Sequence, residues 1–155
     1  MTTATASDKY LTFKLNREGY AIDVMQVVEI IRLQKITPVP HMPPHLKGVI
    51  NLRGKVIPII DLRERFGLSD LKTTEHTCIV VVHIQTEEKQ TLSAGLIVDE
   101  VEEVLSIPAE DVQPTPDVGN KVAAPYLKGV TTQRDEVRTL LDLSLLLKEE
   151  LALRP

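Results

Sequence analysis

Asp61 and Asp142 occupy matching places in two stretches of the 155-residue chain that echo each other. One carboxylate per half is the arrangement by which a duplicated enzyme makes two acids share a proton, as aspartic proteases do. Such a pair needs a small hydroxyl-bearing residue and a glycine after each aspartate. Here Leu62 and Leu143 follow, at points where a strand gives way to a helix, and capping is the expected role of both acids. If the acids only cap, replacing both with Asn should cost cap stability alone; a hydrolase using a cleft between the halves would lose activity. His41, His45, His76 and His83 offer no zinc-ligand spacing, and His41 and His45 straddle two prolines. Cys78, the only cysteine, opens an apolar strand and suits a core position better than a nucleophile. Gly48 and Gly54 lack both the Gly-Lys-Ser/Thr ending of a phosphate loop and the dinucleotide spacing, and no serine sits in a nucleophile elbow. The residue types argue against catalysis and supply no cofactor motif.

Two charged positions invite recognition instead. Arg53 lies in Leu52-Arg53-Gly54-Lys55, a tight-hairpin signal, where a guanidinium is either solvated or a fork offered to a partner's carboxylate or carbonyl. Glu29, beside Val27 in an alternating strand, reads as an outward polar residue or a contact on an exposed face; Val27 reads as core. Arg134 matches Arg53 in the echo, but Gln133 and Asp135 replace its neighbours, and it reads as a solvated turn residue.

The elements that must position these residues come in duplicate. Laid over each other without a gap, residues 46–62 and 127–143 share Leu, Lys, Gly, Val, Arg, Val, Asp and Leu. Average usage gives roughly one chance identity in such an overlay. Strands are expected over Tyr10–Leu15, Tyr20–Val24, Val27–Leu33, Leu46–Leu52 and Val56–Ile60, then over Cys78–Val82, Leu92–Val98, Val101–Ile107 and the echo pair. Pro38–Pro44 is a surface connection, answered by Gln113–Pro116. Asp61 and Glu64 have capping-box spacing for one helical turn, and Leu143–Leu153 reads as an amphipathic helix packed on a barrel. Hydrophobic content of 43% with only 3% aromatics and no Trp points to a core of Val, Ile and Leu, hence to strands. The fold class is therefore all-β: two small five-stranded barrels related by internal duplication, with short helices. The first barrel is expected over roughly 9–68 and the second over roughly 76–143, acting as one domain with the cleft between them as binding site, and Met1–Ser7 reads as disordered. Net charge of −4 with scattered cations excludes a nucleic-acid footprint. One cysteine, no signal-peptide pattern and no long apolar run favour the cytosol without direct membrane insertion.

Gly48-Val49-Ile50-Asn51-Leu52-Arg53-Gly54, followed by Val56-Ile57-Pro58-Ile59-Ile60-Asp61-Leu62, resembles the CheW-like domain family of chemotaxis coupling proteins. Tyr20–Val24, Pro38–Pro44, Gly95–Asp99 and Tyr126–Gly129 extend the resemblance over nearly the whole chain. It implies two SH3-like barrels and a non-catalytic scaffold between the cytoplasmic tip of a methyl-accepting chemoreceptor and the CheA histidine kinase regulatory domain, in membrane-associated arrays. A related adaptor in a pathway other than motility would read the same. By motif position the resemblance places Arg53, Glu29 and Val27 against the receptor, in or beside the groove between barrels. It places Gln113, Asp117 and Val118 against the kinase, with Val118 standing where a larger side chain is expected.

Overall fold

The computed structural model describes residues 8–68, 71–85, 88–114 and 126–151, with side chains through 148. Met1–Ser7, Asp117 and Val118 lie outside the described residues. Among the described residues, ten strands and two α-helices follow the expected order. They are β1 (Lys9–Leu15), β2 (Glu18–Asp23), β3 (Val27–Arg32), β4 (Leu46–Leu52), β5 (Lys55–Asp61), α1 (Leu62–Arg65), β6 (Cys78–Gln85), β7 (Thr91–Val98), β8 (Glu100–Ser106), β9 (Leu127–Gln133), β10 (Glu136–Leu141) and α2 (Leu143–Leu151). A 3₁₀ turn at Ala109–Asp111 was not expected from the sequence.

The strands form two five-stranded sheets, ordered β8-β1-β2-β10-β9 and β3-β6-β7-β5-β4. Replacing each strand by its duplicate converts one order into the other, so the internal repeat is present in full. The barrels are not contiguous in sequence, however, and the expected division into 9–68 and 76–143 does not describe the sheets. Each half lends its first hairpin to the other half's barrel. The β1-β2 hairpin pairs in parallel with β10, placing Arg138 opposite Gly19 and Leu140 opposite Ala21. Likewise β7 pairs with β5, placing Ile59 opposite Gly95. The crossing is made at Val24–Gln26, a 3₁₀ turn whose start is fixed by Asp23 accepting the Met25 N–H at 2.9 Å, and at Asp99 between β7 and β8. We call the β3-β6-β7-β5-β4 unit the first barrel and the other the second.

This exchange explains the unbroken apolar run of β6. Ile79 and Val81 face the interior of the first barrel with Ile50, Ile57, Ile59 and Ile97. Val80 and Val82 face the largest core, where they meet Leu11, Phe13 and Ile22 of the second barrel and Leu143, Leu146 and Leu147 of α2. The second barrel's interior holds Tyr10, Ala21, Leu105, Ile107 and Leu140.

The echoed glycines secure each barrel's seam. Backbone of Thr37 pairs with Val49 at 2.9 Å in both directions, and Gln113 pairs with Val130 at 2.8 Å. A Cβ on Gly48 would lie 2.0 Å from the Thr37 carbonyl oxygen, and one on Gly129 2.6 Å from that of Gln113. Only glycine admits such an approach.

Candidate functional site

Asp61 and Asp142 do act as caps, each in its own barrel and with no shared partner. Asp61 Oδ1 accepts the Arg63 N–H at 3.0 Å, and Asp142 Oδ1 accepts that of Leu145 at 3.1 Å. The capping box is incomplete. The Asp61 N–H is already given to the His45 carbonyl at 2.8 Å, so Glu64 has nothing to reach back for and pairs with Lys47 instead. Asp61 is also more than a cap. Its carboxylate takes Nε and Nη2 of Arg63, each at 3.0 Å, while Arg63 Nη1 donates to Asp99 at 2.9 Å and to the Lys72 carbonyl at 3.1 Å. Hydrogen bonding to Asp61 raises the Arg63 guanidinium further above its high ordinary value, against desolvation, with Asp99 adding to the rise. Asp99 in turn accepts the Asn16 N–H at 2.6 Å, so the buried pair is a fastening between the barrels, occupied on every side.

The other chemical candidates do not converge. Among the described residues no three of His, Cys, Asp or Glu come together as a metal site. Cys78 is half-buried, and burial pushes its thiol up, against a backbone hydrogen bond involving Val101; that direction opposes nucleophilicity.

Arg53 and Glu29 are brought together. The β4-β5 loop is the two residues Arg53 and Gly54, both at positive φ (53° and 84°), the pattern of a tight primed hairpin turn. Asn51 steadies it by accepting the Gly54 N–H at 2.8 Å. From this tip the guanidinium donates to both carboxylate oxygens of Glu29, Nη2 to Oε1 at 2.7 Å and Nη1 to Oε2. The hydrogen bond from Arg53 holds the Glu29 carboxyl below its ordinary range, partial desolvation opposing and the Arg53 charge adding. The Arg53 side chain stays 71% exposed. A fork so fixed keeps Nε–H and further Nη hydrogens for a partner.

The pair forms the rim of a groove of about 300 Å³ at the open mouth of the first barrel. Leu52, Ile57 and Val81 make its apolar floor and Val28, 49% exposed, its side. Every lining residue belongs to the first barrel, so Arg53 and Glu29 sit at a barrel mouth and not in the groove between barrels. Val27 is not with them. β3 carries a bulge between Val27, opposite Val82, and Glu29, opposite Val81, so the two residues address opposite faces. Val27 packs against the large core. The inter-barrel cleft is a separate concavity of about 340 Å³, where Arg65 and Phe66 face Tyr20, Tyr126 and Leu127. Gln113 is held at the second barrel's seam through its backbone, with an exposed side chain.

The floor residues escaped the sequence reading because apolar strand positions look alike whether they face a closed interior or an open mouth. Arg134 is the solvated turn residue expected, its side chain 72% exposed. Its Nη1 donates to Glu103 at 3.3 Å, repeating in the second barrel the pairing of Arg53 with Glu29.

The CheW-like domain family model matches residues 9–151. A chemotaxis protein CheW of Klebsiella aerogenes is 35% identical over 150 residues, covering 96% of this chain and 87% of that protein. One of Bacillus subtilis is 33% identical, covering 92% and 88%. Among solved structures, the scaffolding protein TtCheW of Thermoanaerobacter tengcongensis superposes with a TM-score of 0.76 at 34% identity, over 88% of this chain and 89% of that one. No helix among the described residues is long and apolar enough to cross a membrane. The family model, the identities along nearly the whole chain and the shared two-barrel fold agree: the chain belongs to the CheW-like domain family and is a non-enzymatic scaffold of chemotaxis.

Proposed function

We propose that this chain couples the cytoplasmic tip of methyl-accepting chemoreceptors to a CheA histidine kinase, joining the kinase regulatory domain in membrane-associated arrays from the cytoplasmic side. The observation that carries the receptor half is Arg53, exposed yet held in one orientation by Glu29 above an apolar floor. An exposed ion pair contributes little to stability, so its preorganisation serves recognition better than folding. An amphipathic helix lays apolar side chains onto Leu52, Ile57 and Val81 while the remaining Arg53 hydrogens take a carboxylate or carbonyl at the rim. Gln113, Asp117 and Val118 are assigned to the kinase side, and Val27 supports β3 from behind.

The test is a purified pull-down against a receptor tip and a kinase regulatory domain, followed by receptor-stimulated kinase phosphorylation. Arg53→Ala is expected to abolish receptor coupling while thermal unfolding stays native, because Arg53 and its replacement have the same positive-φ backbone and no core contact is lost. Coupling that survives the substitution unchanged removes Arg53 from the receptor site.

A further inference from the structure

The duplication gives the molecule two barrel mouths, and comparison of matching positions shows that they are built oppositely. In the overlay of the two halves Ile57, on the floor of the open groove, matches Arg138. Strand registers carry the match into three dimensions, since Leu140 opposite Ala21 repeats Ile59 opposite Gly95. Arg138 is 2% exposed, on the same face of β10 as Leu140, and so occupies the second barrel's interior. The registers also match the first mouth's Val28, Lys55 and His83 with Glu102, Glu136 and Lys14, since His83 opposite Ser93 repeats Lys14 opposite Gly19 and Val27 opposite Val82 repeats Val101 opposite Phe13. Arg138 Nη2 lies 3.7 Å from Glu102 and 3.6 Å from Glu136, and Lys14 Nζ lies 3.8 and 3.7 Å from the same two carboxylates. Two cations and two anions thus close the second mouth where the first is open and apolar. Even the space is arranged for it. Gly19 stands where the first barrel has Ser93, and a Cβ there would lie 3.0 Å from Arg138 Cγ.

Stability does not explain this plug. Among the described residues, Nε and Nη1 of Arg138, the Thr131 hydroxyl and one Glu102 oxygen are buried without a hydrogen-bond partner. Unpaired buried donors are costly, and apolar replacements of buried ion pairs are often neutral or stabilising. The first barrel has such an apolar solution at the same site.

We infer that Arg138 is a specificity residue: it seals the second barrel's mouth, so that an apolar partner segment enters only the first and each molecule docks one such segment in one orientation. This rests on the reading of the first mouth as a docking groove given under Proposed function. The sealed mouth remains a charged surface, unsuited to the same ligand.

The test titrates the full chain with the apolar dye 8-anilinonaphthalene-1-sulfonate, alongside Arg138→Ile and the reciprocal double variant Ile57→Arg, Ser93→Gly, each checked for native near-ultraviolet circular dichroism. The native chain is expected to saturate with dye at one mouth, and Arg138→Ile to gain a second equivalent site. The double variant should lose its dye site and weaken receptor-tip binding by at least roughly tenfold with Arg53 and Glu29 intact. A native chain that takes up no dye overturns the inference, as does a folded Arg138→Ile chain with unchanged stoichiometry. So does a double variant that binds dye as the native chain does, and this arm decides the matter if Arg138→Ile fails to fold. Native dye binding without receptor-tip binding overturns the proposed function and leaves the sealed mouth standing.

Discussion

Glu29 keeps its charge because Arg53 donates to both of its oxygens, and this has a consequence in pH. A carboxyl depressed in the folded chain contributes fully above its unfolded value, and the contribution is lost as pH falls through the folded one. The rim should therefore be intact throughout the neutral range and open only below the ordinary carboxylate range. An NMR titration of the Glu29 side chain should show a low midpoint that rises in Arg53→Ala; a midpoint indifferent to that substitution would contradict the pairing. The two echoed aspartates differ more than their sequences suggest. Asp61→Asn strips the principal partner from Arg63, whose side chain is 6% exposed, and should cost about 3–5 kcal/mol in urea unfolding. Asp142→Asn keeps an oxygen to accept the Leu145 N–H and should cost well under about 1 kcal/mol. Equal losses would place Arg63 outside the fastening described above. Only the cap is at stake at Asp142, whereas Asp61 also carries the Arg63 guanidinium. Arg53 and Glu29 were each legible as candidates from residue type and context. Their pairing was not, because it spans β3 and a hairpin tip that only barrel closure brings together.

Elements were read more securely than contacts, since each strand's alternation and each turn's glycine are local signals. β4 and β5 emerge with Arg53-Gly54 between them for this reason. What local signals miss is the β3 bulge, which turns Val27 to the core and Glu29 to the groove although plain alternation would put them on one face. The glycines of the echo also mean more as elements than as residues. Gly48→Ala places a Cβ 2.0 Å from a backbone oxygen that cannot move without opening the pairing of Thr37 with Val49, and should destabilise by at least about 2 kcal/mol. Gly54→Ala meets nothing within 4 Å, and its positive φ alone should cost about 1 kcal/mol. Denaturant midpoints rank the two, and a Gly54 variant as unstable as the Gly48 variant would refute the seam argument. The overlay that matched Gly48 with Gly129 also set Ile57 against Arg138, so the sealed mouth was written in the sequence, but its meaning depends on knowing that both positions face barrel interiors.

At the scale of the whole molecule the duplication is silent about exchange. A repeat whose halves fold side by side and one whose halves trade their first hairpins have the same strands, turns and periodicities; they differ only in which strands are neighbours. The trade has mechanical force. The first barrel lacks two of its three interior strands, β6 and β7, if the second half is removed, and the second barrel lacks β1 and β2 without the first half. Phe13 and Ile22 then leave Val80, Val82 and Leu146 facing water, since all five belong to the core that the barrels share. Separated chains 1–70 and 71–155 should therefore show no native monomer, and mixing them should restore native circular dichroism in a one-to-one complex resolved by size-exclusion chromatography. Each half alone has one further option, to supply its own hairpin to a second copy of itself, because β1-β2 and β6-β7 are duplicates with the same neighbours. Such homodimers would still report the exchange. A half that folds as a monomer would refute it. The same interdependence explains why the groove and the fastening behave as parts of one scaffold: the floor residue Val81 and the rim residue Glu29 are adjacent in register but come from different halves of the chain. The groove therefore exists only when both halves have folded together.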